Sequence, residues 1–286
     1  MENIKLKVTS SDTLINFLRE NLTNKSKNNI KTMIVNNQIY VNNKVQNKIL
    51  YNLNKNDFVE IRPYRSKNKE NNINILYEDE DIIVVDKPYG LLSISTDKEK
   101  EHTMYHMVSK YVKEKNKNNK IFVIHRLDKD TSGIILFAKS EKIKNLFQDN
   151  WNEDIIERRY YAVVHGTISK GDYQIKSYLV ENNNFVTYST PNKHIGKLAI
   201  TNYSVIRNNN KYSLLDVDIK TGRKNQIRVH LSENKHPIVG DKKYGKDEKN
   251  YKRLYLHAYK IKFVDPRTNK IIEFKTNMPK EFKSMI

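Results

Sequence analysis

The sequence predicts an α+β protein in which a small αβ domain precedes a large domain with a mixed, mainly antiparallel sheet. Beyond residue 73, short runs of β-branched and aromatic residues are separated by polar turns and do not alternate regularly with helices. Helical periodicity is confined to a few segments. Residues 63–72 have no apolar period and are typical of a flexible linker. We therefore expect the 286 residues to form two domains, 1–62 and 73–286.

The first domain shows one helical pattern followed by short strand signals. Ser11-Asp12 is a candidate N-cap for a helix with an apolar face of Leu14, Phe17, Leu18 and Leu22. Ile39 and Val41 alternate before the turn residues Asn42-Asn43, and residues 58–61 predict a last strand. We therefore expect the first domain to contain both a helix and short strands within about 60 residues.

The second domain is predicted to begin with a β-hairpin. Its two apolar segments, 75–77 and 82–85, flank an acidic turn, and the polar residues 113–120 are expected to form a loop. Ser140 can cap a helix with an apolar face of Ile143, Leu146, Phe147 and Trp151. Asparagine-rich turns separate later strand patterns, which lie around Tyr160, Ile200, Leu215 and Leu256.

The stretch HRLDKDTSG at residues 125–133 is the strongest functional signal in the chain. It combines the Asp128 carboxylate with His125 and Arg126, and it runs into the apolar residues 134–138. A polar loop that feeds a buried strand can hold a reactive group at the rim of a cleft. Taken alone, the stretch is equally consistent with a charged turn in which Asp128 caps a backbone amide.

Composition points to a nucleic-acid partner. The net charge of +19 favours a polyanionic binding partner. A membrane surface is a poorer candidate, because the sequence shows no long amphipathic basic helix. No segment reaches the length of a membrane span, and the N-terminus lacks the apolar core of a signal peptide, so we expect the cytoplasm. The absence of cysteine excludes a thiolate nucleophile and a cysteine-ligated metal.

The spacing of the glycines and histidines gives no support to a nucleotide, methyl-donor or metal site. The eight glycines never form G-x-G or the nucleotide-binding phosphate loop, so a dinucleotide, nucleoside triphosphate or Rossmann-type methyl-donor site has no support. His102 and His106 can share a helix face, but no third ligand or glutamate accompanies them. We therefore expect a solvated helix face there, and no metal site.

Residues 125–133 resemble the central motif of the RluA family of RNA pseudouridine synthases, H-R-L-D-x-x-T-S-G, at every fixed position. Further segments similar to family motifs follow in the family's order, namely VDKPYG at 85–90, RRYYAVVHG at 158–166, TGRKNQIRVH at 221–230 and HPIVGD at 236–241. Arg158 stands where the family pattern has lysine, and Lys224-Asn225 replace its common Thr-His pair. The resemblance covers residues from about 73 to 274.

The resemblance implies cofactor-independent conversion of uridine to pseudouridine. Asp128 would be the catalytic carboxylate, Tyr160 would stack on the base, and Arg228 would keep Asp128 charged. No metal or redox cofactor is expected, since nothing is oxidised or transferred from a donor, and Asp128 could be either a nucleophile or a base. The other residues expected at the substrate are Arg126, which would enter the space left by a flipped base, and the apolar walls Ile227 and Leu256. His125 is also expected there, where it would shape the loop or bind a phosphate rather than act as an acid. Lys87 would position the motif loop.

Residues 1–62 resemble an S4 RNA-binding domain, with matches at 26–30, 41–43 and 54–59. The basic side chains expected to bind RNA there are Lys25, Lys27 and Lys31. The chain would then be RluC/RluD-like, and because an S4 domain tends to accompany ribosomal targets in the family, we expect large-subunit (23S-type) ribosomal RNA as the substrate. Transfer RNA is the alternative substrate, and a generic αβ module is the alternative to an S4 domain. We expect the protein to be a monomer.

Two functions of other kinds stay open on sequence alone. One is an RNA-binding protein that kept the fold and lost catalysis, although such a protein would have no chemical reason to keep Asp128, Tyr160 and Arg228 together. The other is a different base-modifying enzyme, such as a cysteine-independent methyltransferase, although the methyl-donor loop is missing.

Overall fold

A computed structural model describes residues 4–35, 37–62, 73–97, 99–245 and 250–286. The predicted linker, residues 63–72, lies outside the described residues. The chain divides into two compact units, one within residues 1–72 and the other within 73–286.

The first unit packs two helices on a small antiparallel sheet. Its elements are β1 (Ile4–Lys7), β2 (Asp12–Thr13), α1 (Leu14–Asn21), α2 (Lys27–Val35), β3 (Ile39–Val41), β4 (Lys44–Val45), β5 (Asn52–Leu53) and β6 (Phe58–Ile61). The sheet order is β1-β6-β3-β4, and β2 pairs with β5. Asn42 and Asn43 connect β3 to β4 with φ of 50° and 65°, the backbone that a two-residue hairpin turn requires.

The first helix begins later than the Ser11-Asp12 pattern predicts. The residue before α1 is Thr13, whose side chain makes no cap hydrogen bond, and Asp12 Oδ1 accepts from the Thr13 backbone N–H at 2.6 Å. Residues 12 and 13 are extended because they pair with residues 52 and 53. Leu14, Phe17 and Leu18 still form the buried face of the helix, as predicted.

The second unit contains one large twisted sheet with helices against it. Its helices are α3 (Met104–Lys115), α4 (Glu141–Asp149), α5 (Trp151–Asp154), α6 (Gln226–Glu233) and α7 (Lys280–Lys283). Its strands are β7 (Asn74–Glu78), β8 (Ile82–Lys87), β9 (Phe122–Val123), β10 (Ser132–Ala138), β11 (Ile155–His165), β12 (Asp172–Glu181), β13 (Thr187–Thr190), β14 (Lys197–Asn208), β15 (Tyr212–Ile219), β16 (Leu256–Asp265) and β17 (Lys270–Lys275).

The strand order is β13-β12-β14-β15-β11-β16-β10-β8-β7, with β17 beside β16 and β9 beside β10. Every named pair is antiparallel except β10 and β16. The predicted mixed, mainly antiparallel α+β architecture is therefore confirmed. In the described part of the chain, no helix is both long enough and apolar enough to cross a bilayer.

The predicted hairpin and capped helix both form. Strands β7 and β8 pair across the acidic turn, and the Ser140 hydroxyl accepts from the Ile143 N–H at the start of α4. All seven residues of β10 are buried, because α3 covers one face of the sheet there and α4 the other. The predicted loop at 113–120 is partly wrong, since α3 continues to Lys115. His102 lies outside α3, which starts after the capping Thr103, so the predicted histidine face does not form.

Candidate active site

A cavity of about 470 Å³ lies where three neighbouring strands of the large sheet meet the N-terminal end of α6. It is lined by every residue of the second unit that the sequence singled out for a site, namely His125, Arg126, Asp128, Tyr160, Ile227, Arg228 and Leu256. Lys25, Lys27 and Lys31 belong to the first unit, where Lys27 and Lys31 are exposed one helical turn apart on α2 and Lys25 is half-buried just before it.

The order β11-β16-β10 brings the site residues together. Tyr160 lies opposite Ala258 and Leu256 opposite Ala162, while the loop that carries Asp128 enters β10 beside β16. Gly133 permits this approach. Its φ is +121°, and a Cβ atom there would lie 2.2 Å from the Ala258 carbonyl oxygen, so a side chain at this position would push the two central strands apart.

Two buried polar side chains hold the loop around Asp128. The Ser93 hydroxyl donates to the Leu127 carbonyl at 2.6 Å and accepts from the Leu127 N–H at 3.1 Å. The Lys87 ammonium donates to three carbonyls, those of Pro88, Leu91 and Lys129, at 2.7–3.0 Å. Lys87 thus ties the motif loop to the end of β8, which agrees with its predicted role, whereas no motif pointed to Ser93. Burial lowers the pKa of Lys87 to about 7.

Asp128 faces the cavity and keeps 34% of its side-chain surface exposed. Burial by the surrounding protein raises the pKa of its carboxyl group, and the positive charges of Arg228 and Lys87 lower it. Since the described residues make no hydrogen bond to this carboxylate, its anionic form is stabilised by charge rather than by direct donors.

Arg228 has a closer carboxylate partner than the one that the sequence predicted. Its Nε and Nη2 atoms donate to the two carboxylate oxygens of Asp241 at 2.8 Å each, and Nη1 donates to Asn225 Oδ1 at 2.9 Å. The distance from Nη1 to Asp128 Oδ2 is 3.8 Å. Arg228 is therefore a buried cation that Asp241 and Asn225 hold in front of Asp128.

Asp241 and Asn225 are site residues that sequence reasoning missed. Both lie inside matched segments, Asp241 at the end of HPIVGD and Asn225 beside the glutamine of TGRKNQ. Asn225 has a left-handed backbone, with φ of 55°, directly before α6. Gln226 shapes the same turn by accepting from the Thr221 hydroxyl and the Arg223 N–H. The position of Asn225 three residues before the functional Arg228, directly before α6, was the available signal.

Tyr160 forms the aromatic wall of the cavity. It packs in one hydrophobic cluster with Ile227 and Leu256. Burial, together with the negative charge of Asp128, raises the pKa of Tyr160 to about 12, so its hydroxyl keeps its proton at neutral pH. A flat ring and two aliphatic side chains beside a carboxylate suit a planar ring as ligand.

His125 is held inside the loop. Its ring stacks on Trp151 with 5.1 Å between centroids, and its Nε2 accepts from the Leu136 N–H at 3.2 Å. Burial lowers the pKa of His125 to about 3, so the ring is neutral and favours the loop-shaping role over phosphate binding. Arg126, its neighbour, is exposed at the cavity rim.

The charge of the cavity lining is strongly positive. Asp128 is the one acidic residue among the described residues that line it, whereas its lysines and arginines are Arg126, Lys129, Arg158, Arg223, Lys224 and Arg228. Such a lining attracts an anionic ligand. The site therefore combines a reactive carboxylate, a place for a planar ring and a surplus of positive charge.

Comparison with known proteins agrees with this geometry. The family model described as RNA pseudouridylate synthase matches residues 81–233. An uncharacterised RNA pseudouridine synthase of Mycoplasma genitalium is 30% identical over 98% of this chain and 93% of its own length. The ribosomal large subunit pseudouridine synthase C of Buchnera aphidicola subsp. Baizongia pistaciae is 32% identical over 95% of this chain and 91% of its own length. The structure titled human RNA Pseudouridylate Synthase Domain Containing 4 shares the fold, with a TM-score of 0.61 and 21% identity over 73% of this chain and 90% of that one.

Proposed function

Since this chain belongs to the RluA family of RNA pseudouridine synthases, we propose that it isomerises uridine in large-subunit ribosomal RNA with Asp128 as its catalytic carboxylate. The observation that carries the assignment of Asp128 is its position in the cavity, beside the aromatic wall of Tyr160 and 3.8 Å from the Arg228 guanidinium. We expect the enzyme to work in the cytoplasm, where ribosomal RNA would be its substrate.

The reaction exchanges one bond between base and ribose for another. The bond from N1 of uracil to C1′ of ribose breaks, the base rotates, and C5 of uracil bonds to C1′. C5 then loses its proton and N1 gains one, so the product is an isomer of uridine. The net change moves no electrons to or from a donor. Asp128 would act in its ionised form, either on the sugar as a nucleophile or as a base. Arg228 would favour that ionised form.

The target base would enter the cavity only after leaving the RNA stack, at a cost of roughly a few kcal/mol. Tyr160 would stack on the flipped uracil, and Ile227 and Leu256 would hold its edges. Arg126, exposed at the rim, would occupy the space that the base leaves in the RNA. The protonated Tyr160 hydroxyl would be available as a proton donor.

Two observations support ribosomal RNA over transfer RNA. The relative from Buchnera, named for the ribosomal large subunit, aligns with 95% of this chain, so the alignment includes most of the first unit. The first unit also presents a basic helix, which we propose to be part of an S4-type RNA-binding domain. A second basic module raises the effective concentration of the catalytic unit on a large RNA, whereas a short stem-loop offers less surface for both units.

Deleting the gene is expected to remove pseudouridine from one or a few uridines of large-subunit ribosomal RNA. The measurement is a pseudouridine map of total RNA from cells with and without the protein, and re-expression of the intact chain should restore the lost signals. Loss restricted to transfer RNA would overturn the substrate and leave the reaction type standing. Purified protein incubated with that unmodified RNA, without additives, should restore the same positions.

Replacing Lys25, Lys27 and Lys31 with glutamine should weaken binding to ribosomal RNA without changing kcat. Each phosphate contact contributes roughly 0.7–0.9 to the slope of log K against log salt, so the slope should fall by roughly 2 if all three lysines touch phosphates. The matched control replaces three exposed lysines of the same unit, Lys44, Lys48 and Lys55. Equal slopes for the two triple variants would show that the unit binds RNA elsewhere.

A further inference from the structure

Arg158 is a half-buried arginine of the cavity, and its guanidinium makes no hydrogen bond or close ion pair with the described residues. It lies two residues before Tyr160 on β11, and both side chains line the cavity. Its Nε atom is inaccessible to water and has no hydrogen-bond acceptor. In the described part of the chain, no carboxylate oxygen lies within 4.0 Å of its guanidinium nitrogens.

The neighbouring arginines show how unusual this is. Arg159, next on the same strand, ion-pairs with Glu157 at 2.8 Å and Asp216 at 2.5 Å. Arg228 forms an ion pair with Asp241 at 2.8 Å. Burial lowers the pKa of Arg158, as does the positive charge of Arg223, while the negative charge of Asp218, more than 4.0 Å from the guanidinium nitrogens, raises it and does not offset the burial. Removing a cation from water is costly when no counter-ion lies beside it. Arg158 would therefore gain stability from a counter-ion that a ligand brings into the cavity.

The surroundings of Arg158 are shaped to hold its guanidinium. A Cβ atom at Gly222 would lie 2.8 Å from Arg158 Nη1, so the glycine leaves room for the guanidinium that a side chain would take. Arg223, the residue after Gly222, also lines the cavity and is exposed. It uses Nε to donate to the Leu198 carbonyl at 2.9 Å. Two positive side chains therefore flank one tight turn at the cavity wall.

We propose that Arg158 and Arg223 bind a phosphodiester group that flanks the target uridine. This assignment rests on the proposed function, because the ligand is an RNA strand whose target base occupies the cavity. A planar guanidinium fork matches phosphate oxygens, and two cations beside the Gly222 turn, one from β11 and one from the turn itself, suit a full negative charge better than a uracil carbonyl. The phosphate would supply the counter-ion that Arg158 lacks in the free enzyme. Arg158 would thus position the nucleotide so that its sugar faces Asp128.

The test uses a synthetic RNA stem-loop that contains the mapped target uridine, and the same RNA with one neutral methylphosphonate on the 5′ or the 3′ side of that uridine. Arg158→Met should lower kcat/KM by about ten- to a hundredfold, as expected for a lost charged hydrogen bond, and should lower the salt slope of binding by roughly 0.7. Arg158→Lys, which keeps the charge and restores the residue of the family pattern, should recover most of the activity. One of the two methylphosphonates should impair the wild type strongly and Arg158→Met little further.

Two controls separate this role from a structural one. Arg158→Met should unfold at the same temperature as the wild type or a higher one, because the free enzyme loses a half-buried charge that has no carboxylate within 4.0 Å among the described residues. Arg159→Gln, whose arginine already has carboxylate partners, should keep the wild-type salt slope. A wild-type salt slope for Arg158→Met, or equal methylphosphonate sensitivity of the two proteins, would overturn the proposal. The proposed function is tested separately, by whether the wild-type protein forms pseudouridine in the stem-loop without a methylphosphonate.

Discussion

Replacing Asp128 with asparagine is expected to reduce pseudouridine formation by a factor on the order of 10³ or more. The amide is nearly the same size but cannot be an anionic nucleophile or base. The described residues make no hydrogen bond to the Asp128 carboxylate, and its nearest charged group is 3.8 Å away. Folding should therefore change little, and RNA binding should be kept. Single-turnover formation of pseudouridine, with thermal unfolding and equilibrium binding measured in parallel, checks all three expectations.

Asp130→Asn is the matched control for this variant. Asp130 lies two residues further along the same loop, is exposed, and does not line the cavity. It should keep activity close to that of the wild type. If Asp128→Asn turned over within tenfold of the wild type, or if Asp130→Asn were the more damaging change, Asp128 would not be the catalytic carboxylate.

Replacing Arg228 with alanine is expected to have the second-largest effect, on stability and on activity. Asp241 would lose the two hydrogen bonds that pair its buried carboxylate with the guanidinium. The free energy of unfolding should fall by about 3 kcal/mol, near the lower end for a broken buried pair, because the backbone N–H groups of Lys243 and Tyr244 still donate to Asp241. Activity of the folded variant should fall on the order of 10²-fold.

The pH profile distinguishes lost stability from a lost partner of Asp128. Burial raises the pKa of Asp128, and Arg228 is the largest influence that lowers it. Because the ionised carboxylate is the active form, activity is present above this pKa and is lost as the pH falls through it. Removing Arg228 raises the pKa further, so the acid limb of kcat/KM should move to higher pH.

Asp241→Asn is the control for the loss of the buried pair. This variant also loses stability, but the positive charge beside Asp128 stays. Its acid limb should not move to higher pH, and it should be more active than Arg228→Ala under conditions where both are folded. An unmoved acid limb in Arg228→Ala would mean that Arg228 does not act on the ionisation of Asp128.

Elements that depend on neighbours in the chain formed where the sequence predicted them. The β7–β8 hairpin and the helix capped by Ser140 are examples, because periodicity and capping act over a few residues. Distant contacts explain the boundaries that differ. Helix α1 starts late because residues 12 and 13 pair with a strand forty residues further on. Helix α3 extends to Lys115 because Val112 is buried in the core and Lys115 pairs with Glu78 on β7.

The sequence by itself determined the α+β class, the positive charge and the chemical groups of the site, because these depend on residue identity and on contiguous motifs. Only the tertiary structure decided how those groups are paired. Arg228 pairs with Asp241 and lies 3.8 Å from Asp128, and the half-buried Arg158 has no carboxylate oxygen within 4.0 Å among the described residues. Ion pairs and burial depend on separations of a few ångströms between residues far apart in the chain, and the strand order β11-β16-β10 and the packing of α6 set those separations.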